Sequence, residues 1–452
     1  MTAVRILYNL AFPFVLLALL PGFLFRMLKR GKYRHKFGQR FAIYSPRVRQ
    51  KLSRGGWTWV HAVSVGEVLI ALKLIREMKN RDPQLPVVLS TTTSTGFALA
   101  SREQGDNFET IYNPIDFFWT ARRAVRLIRP RRLILVEAEV WPNLTAEAKA
   151  RGATLALVNA RLSRRSESRY LMIRPLASAI FNQLDLLCVQ EPADAKRWES
   201  LGVDAGKILC TGSIKFDDQG EDSRVRRNFR QTLAELGVGE SAPVILAGST
   251  HSGEERLIGE IVIGLKKDFP SIFYLVVPRH AERWREVREQ LDRLGLRVTL
   301  RNGEQRVLEN PDTLLVNTTG ELRDWFDQAT LVFVGKSLTA HGGQNPAEAV
   351  AAGKAVVFGP NMENFSSLAA QLVREGGASQ VADATELEQK FRELLFHPER
   401  RAELAANAAK CLEAHRGATA RTCRALEEFE SLRGYYRTSH DVTERARAAR
   451  GK

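Results

Sequence analysis

Short apolar runs alternate with amphipathic stretches along most of this 452-residue chain. Trp57–Val63, Val87–Thr91, Arg132–Val136, Thr154–Val158, Leu186–Val189 and Ile208–Cys210 are nearly continuous in hydrophobicity, and the segments between them carry apolar residues at helical spacing. A short continuous run predicts a strand covered on both faces, and its alternation with helices predicts a parallel sheet flanked by helices. A polar, charged stretch from Asp217 to Arg227 interrupts the pattern. It restarts with Val244–Ala247, Phe273–Val277, Thr313–Val316, Leu331–Val334 and Ala355–Phe358, then closes with helices to about Leu432. The expected fold is α/β, with two Rossmann-like, doubly wound domains over residues 26–217 and 241–432, joined by a linker over 218–240. Such folds bind ligands at the carboxyl ends of their strands, so a cleft between the two domains is expected. Residues 433–452, rich in Arg and poor in apolar side chains, read as a disordered basic tail.

The first 25 residues break from this alternation. Ile6–Phe25 carry no charged side chain and supply roughly the 20 apolar positions that cross a bilayer core. Arg26, Lys29, Arg30, Lys32, Arg34, Lys36, Arg40, Arg47, Arg49, Lys51 and Arg54 follow without an intervening acid. The pattern predicts an N-terminal membrane anchor over 1–25, with the body of the protein on the cytoplasmic side. Asn9, Pro13 and Pro21 weaken a spanning helix, and an anchor lying in the interface is the alternative.

The formal net charge of +16 calls for an anionic partner. Its concentration after the apolar segment points to an anionic membrane surface. No nucleic-acid module or aromatic-interleaved basic strip appears, so nucleic acid is not an expected partner. Cys188, Cys210, Cys411 and Cys423 have neither CxxC spacing nor a disulfide framework, as in a reducing compartment. No grouping of His, Cys and carboxylates has metal-ligand spacing, so neither a metal nor a cofactor is expected.

Candidate chemistry falls at the strand ends. In His61–Glu67, HAVSVGE, a strand passes through a turn at Gly66 into a helix, with Glu67 at the helix start. The helix dipole keeps a carboxylate there ionised, either as an ordinary first-turn residue or as a general base. In Glu137–Asn143, EAEVWPN, alternation places Glu137 and Glu139 on one side of a strand end, where they need partners. Arg161, Ser163, Arg164 and Arg165 lie past the next strand, suited to pair with those acids or to bind an anionic sugar acid or lipid phosphate. Lys215, in TGSIKFD, is a cation able to stabilise developing negative charge, or a solvated linker residue. Gly248, Ser249 and Thr250 form a small-residue turn able to cradle phosphate, and Arg279 after Pro278 presents a fork that fits one. Gly320, Glu321 and Leu322 form another loop into a helix. In Val334–Pro360, VGKSLTAHGGQNPAEAVAAGKAVVFGP, glycines precede a helix expected to open at Asn345 and Pro346. That start suits a phosphate, with Glu348 accepting ribose hydroxyls, or Asn345 and Glu348 simply form a capping box.

In these motifs the chain resembles the Kdo (3-deoxy-D-manno-octulosonic acid) transferases of lipopolysaccharide biosynthesis, members of the GT-B glycosyltransferases. The likeness runs from HAVSVGE through EAEVWPN, NARLS, TGSIKFD, AGST, VPRH, GEL and HGGQNPAE to FGPNMENF. It implies metal-free, inverting transfer of Kdo from CMP-Kdo to a lipid A precursor at a bacterial inner membrane. It implies Glu67 as proton acceptor, and Glu139 and Lys215 as transition-state stabilisers. Pro278, Arg279, Gly320, Glu321, Leu322, Asn345, Pro346, Ala347 and Glu348 stand at its CMP-binding positions, to which the Ser249–Thr250 turn is added. Ser64, Gly66, Asn143, Arg161 and Ser163 are candidates for the acceptor or the sugar acid. The chain departs from the family pattern at Lys336, where a glycine is usual, and at Ala349, where a proline is usual. A nucleotide-binding protein of this fold without transfer activity, or a UDP-sugar transferase or epimerase, is the alternative.

Overall fold

A computed structural model describes residues 4–14, 16–18, 36–103, 105–217, 227–302 and 310–431. The chain forms two compact units, one of Met1–Asp217 with His415–Lys452 and one of Asp218–Ala414.

The first unit holds a seven-stranded sheet in the order β3-β2-β1-β4-β5-β6-β7. Its strands are β1 (Thr58–His61), β2 (Val87–Thr91), β3 (Phe108–Tyr112), β4 (Arg132–Val136), β5 (Thr154–Ala160), β6 (Leu186–Val189) and β7 (Ile208–Cys210). Every neighbouring pair is parallel. Period-2 geometry explains why these strands read as continuous apolar runs. Trp59, Leu133, Leu135, Leu155 and Leu157 enter one core, while the intervening Val60, Ile134, Val136, Ala156 and Val158 enter another on the opposite face.

The second unit holds β8 (Val244–Thr250), β9 (Phe273–Pro278), β10 (Val298–Leu300), β11 (Thr313–Leu315), β12 (Leu331–Val334), β13 (Ala355–Phe358) and β14 (Ser379–Gln380). This sheet, also seven-stranded and parallel, runs β10-β11-β9-β8-β12-β13-β14, so β11 is inserted between β9 and β10.

Two expected boundaries are corrected. The second domain does not continue to 432, because the chain returns to the first unit at His415. There the Asp217 carboxylate accepts the N–H groups of Gly417 and Thr419 at 2.7 Å each, and Cys423, Ala425 and Leu426 join the core beneath β1 and β4. An apolar stripe on this last helix, with Glu430 paired to Arg132 at 2.7 Å, holds it to the first sheet. The later part of the expected linker also belongs to the second unit. Phe229 stacks on Trp325 with ring centroids 4.0 Å apart, and Leu233 of the helix Arg230–Glu235 is fully buried.

The expected spanning helix is not supported. Among the described residues no helix is long and apolar enough to cross a membrane. Residues 4–14 form a helix tied to the first unit: Arg5 pairs with Glu147 at 2.6 Å and donates to Asn143 at 2.9 Å, and Phe12 packs edge-on against Phe117. The rest of the expected anchor at 19–25, the basic residues 26–35, the linker segment 218–226 and the tail 433–452 lie outside the described residues.

Candidate functional site

The first sheet gathers carboxylates at its carboxyl edge. After β1, Ser64 caps the helix Val65–Arg81 and its Oγ accepts the Glu67 N–H at 3.3 Å. The Glu67 carboxylate turns back to accept N–H bonds from Val63 at 2.8 Å and Ser64 at 3.3 Å. The capping box is therefore formed, and the same bonds fix the carboxylate on the strand-end loop. A carboxylate offers about four lone-pair sites, so both oxygens keep room for a proton or hydroxyl.

After β4, Glu137 adopts φ 65, the left-handed region, with its N–H bonded to Val158 O. Burial and then the charge of Glu67 push its carboxyl up, while Lys215 and Arg161 pull it down. Glu139 is pushed up by burial, then by Glu67 and Glu137. Lys215, whose side chain reaches solvent, is held below the ordinary lysine range first by desolvation of its ammonium; Glu137 pulls it back up and Arg161 lowers it further. Glu67, Glu137, Glu139, Lys215 and Arg161 thus form one electrostatic cluster, and Tyr170 borders it, its phenol raised by burial and then by Glu139.

A buried chain of hydrogen bonds positions the loop that carries Glu139. Trp141 Nε1 donates to His61 Nε2 at 3.2 Å, and His61 Nδ1 lies 2.9 Å from Ser90 Oγ, which also accepts from Trp59 Nε1 at 2.7 Å. Burial pushes His61 down to about 4, so the ring is neutral near pH 7. Accepting at Nε2 then places its proton on Nδ1, donated to Ser90.

Asn143 has a different task from the one expected. It is fully buried, and its amide bonds Asp116 O, Asn9 and Arg5. Asp116, which the sequence did not single out, accepts the N–H groups of Asn143 and Leu144 and so caps the helix Pro142–Ala150, which begins on Pro142 without a cap of its own. Ser163 is an exposed N-cap that accepts the Ser166 N–H, and Gly66 is exposed in the first turn before Glu67.

The second sheet gathers cations and turns. Ser249 lies at φ 55, and Arg279 N–H donates to Thr250 O at 3.0 Å, which joins the ends of β8 and β9. The Thr250 hydroxyl is fully buried and donates to Glu255 at 3.0 Å, so it serves the protein's own network. Gly335 lets the turn after β12 approach β8, since a Cβ there would stand 2.4 Å from Ser249 O. Glu254 joins these turns. Its buried carboxylate accepts N–H bonds from His251 at 2.9 Å, Lys336 at 2.7 Å, Ser337 at 3.0 Å and Leu338 at 3.1 Å. In the sequence Glu254 is an unremarkable first-turn acid; the turn it organises lies 83 residues away at Ser337.

The Gly320–Leu322 loop has its glycine exposed at φ 84 and Glu321 buried in ion pairs with Arg227 and Arg301. Leu322 packs beside Gly248. The helix expected at Asn345 is one short turn, Ala347–Ala351. Asn345 Oδ1 accepts the Ala347 N–H at 3.1 Å, while Glu348 lies 4.0 Å from Arg323. So short a helix sums few peptide dipoles, and its start is a weaker anion site than the sequence suggested. Pro346 is buried behind it.

Two parallel, Rossmann-like sheets, each with reactive side chains at its strand ends, define the class: a GT-B-like α/β protein. The same fold occurs in a putative UDP-N-acetylglucosamine 2-epimerase from Listeria monocytogenes (TM-score 0.55, 14% identity, 83% of this chain and 98% of that one). A family model described as 3-deoxy-D-manno-octulosonic-acid transferase (kdotransferase) matches residues 35–218. The 3-deoxy-D-manno-octulosonic acid transferase of Haemophilus influenzae is 30% identical over 404 residues, 89% of this chain and 93% of the relative. That of Bordetella pertussis is 34% identical over 380 residues, 82% and 87% respectively. The chain belongs to the 3-deoxy-D-manno-octulosonic acid transferase family, and its activity is glycosyl transfer of that sugar acid.

Proposed function

We propose that this protein is an inverting, metal-independent transferase that moves Kdo from CMP-Kdo to a hydroxyl of a lipid A precursor, in lipopolysaccharide core biosynthesis. The acceptor oxygen attacks the anomeric carbon of Kdo as its proton passes to Glu67. The bond from that carbon to the phosphate oxygen of CMP breaks, and its electron pair leaves with the phosphate. The carboxylate cluster carries this reading. Glu67 is held by Val63 and Ser64 N–H groups beside Glu137 and Glu139, and those two bonds leave lone pairs on its carboxylate for an acceptor hydroxyl. Lys215 and Arg161 supply positive charge to the same cluster. Arg279 and the loops at Gly320–Leu322 and Asn345–Glu348 are assigned to the CMP moiety.

We also infer that the protein works at the cytoplasmic face of a bacterial inner membrane through interfacial contact. On the N-terminal helix Ile6, Leu7, Leu10, Phe14 and Leu17 are exposed, and Arg5 reaches over the ring of Phe118, next to exposed Trp119. Beside these aromatics lies a cavity of about 660 Å³ lined by Arg49, Arg122, Arg123 and Arg126, suited to anionic head groups. The decisive experiment is mass spectrometry of a tetraacylated, bisphosphorylated disaccharide lipid after incubation with CMP-Kdo and the full-length protein. A mass increase of one or more Kdo residues is expected. An unchanged lipid, or turnover with uridine-linked sugars instead, would reject the reading.

A further inference from the structure

The turn after β12 carries a lysine where the backbone suits glycine. Lys336 sits at φ 59, in the left-handed region that a Cβ makes unfavourable. Glu254 holds the N–H groups of residues 336, 337 and 338, so the turn is fixed independently of the side chain at 336. A strained lysine kept in such a turn points to work done by its side chain. That side chain runs to the next turn: Nζ lies 3.4 Å from where a Cβ on Gly342 would stand, and the Gly343 N–H donates to Lys336 O at 3.0 Å.

Basic groups from three strand ends meet there. The rings of His251, after β8, and His280, after β9, are 5.9 Å apart. Gln344 Nε2 lies 3.5 Å from His251 Nε2. Burial and then Lys336 hold the His251 imidazole below its ordinary range, His280 and Arg283 act in the same direction, and Glu254 opposes them. Of the carboxylates in this neighbourhood, Glu254 is engaged by its four N–H bonds and Glu363 by His341 and the Gly342 N–H, while Glu282 lies 3.6 Å from His280 Nδ1. A lysine ammonium from the turn after β12 and imidazole rings from the ends of β8 and β9 are therefore brought together, with Glu282 as the carboxylate beside His280.

We propose that Lys336, with His251 and His280, forms an anion subsite that grips the phosphate or the sugar carboxylate of the nucleotide-sugar donor. The proposal rests on the second unit being the donor-binding unit. Phosphate and carboxylate share the anionic oxygens the subsite recognises, and two ligands separate them. Lys336→Gly removes the cation and relieves the left-handed strain, so its melting temperature should equal or exceed the parent's. Calorimetry on the full-length protein then compares CMP, cytidine and free Kdo. The expected result is a loss of about tenfold in CMP affinity, the size of one charge-assisted hydrogen bond, with cytidine unaffected and recovery in Lys336→Arg. A loss for free Kdo with CMP unchanged assigns the subsite to the carboxylate. Lys336→Gly binding all ligands like the parent overturns the subsite. A parent protein that binds neither CMP nor Kdo overturns the donor reading, and the subsite with it.

Discussion

The two units share an architecture and differ in the charge they bring to it. Each is a seven-stranded parallel sheet with loops converging at its carboxyl edge. The first unit places Glu67, Glu137 and Glu139 there with Lys215 and Arg161 as counter-charges, the arrangement proposed to accept a proton. The second places Arg279, His251, His280 and Lys336 around turns held by one buried carboxylate, the arrangement proposed to receive an anion. The sheet is the constant, and the side chains on the loops beyond it set the charge each unit presents.

The largest effect should come from the proton acceptor. Glu67→Gln keeps one acceptor oxygen, enough for the shorter bond from Val63 N–H, but cannot take up a proton, so transfer should fall about 10²- to 10⁴-fold with CMP affinity unchanged. Parent-like turnover would transfer the role to Glu137 or Glu139. On the other unit, Glu254→Ala strands the N–H groups of His251, Lys336, Ser337 and Leu338. Urea unfolding should show a loss of about 3 kcal/mol, with CMP binding weakened as well; an unaltered CMP affinity would separate the Glu254 clamp from the donor site.

A comparable change in stability should follow pH through the first unit. His61 is held down at about 4 when folded and titrates near 6.5 when unfolded. Between those values the unfolded chain binds one more proton than the folded one, so stability rises with pH across this window. It is complete above about pH 6.5 and falls by about 3 kcal/mol as the pH drops toward 4. His61→Gln should flatten that part of the profile, and an unchanged slope would assign it to other groups. The smallest effect concerns the membrane. Leu10→Glu with Phe14→Glu should cut binding to phosphatidylglycerol vesicles by about tenfold while leaving CMP affinity untouched, and full retention on the vesicles would move the contact surface elsewhere.

Apart from the edge strand β7, the strands that the apolar pattern revealed are those covered on both faces. β2, β4, β6, β7, β12 and β13 have the expected bounds, and β1, β5, β8, β9 and β11 differ from them at their ends. The unexpected strands β3, β10 and β14 all lie at sheet edges, where a strand needs only one neighbour. β3 alternates a half-exposed Glu109 into its run, and β10 and β14 are three and two residues long. That Glu67, Glu139 and Lys215 stand near strand ends was legible because strand-to-helix turns carry local signals. Asp116 and Glu254 were not, since each serves a helix start or turn that is remote in the chain.

Periodicity and turn chemistry, both local properties of a polypeptide, are enough to establish two parallel α/β units and to mark which strand ends carry carboxylates and which carry basic groups. Tertiary packing alone decided that residues 415–431 return to the first unit, that Asn143 is a buried tie, that the N-terminal helix lies along the first unit through Arg5, and that Glu254 binds the turn at Lys336. Those outcomes depend on which buried polar group finds which partner across long separations in sequence, and a one-dimensional pattern carries no record of such pairings.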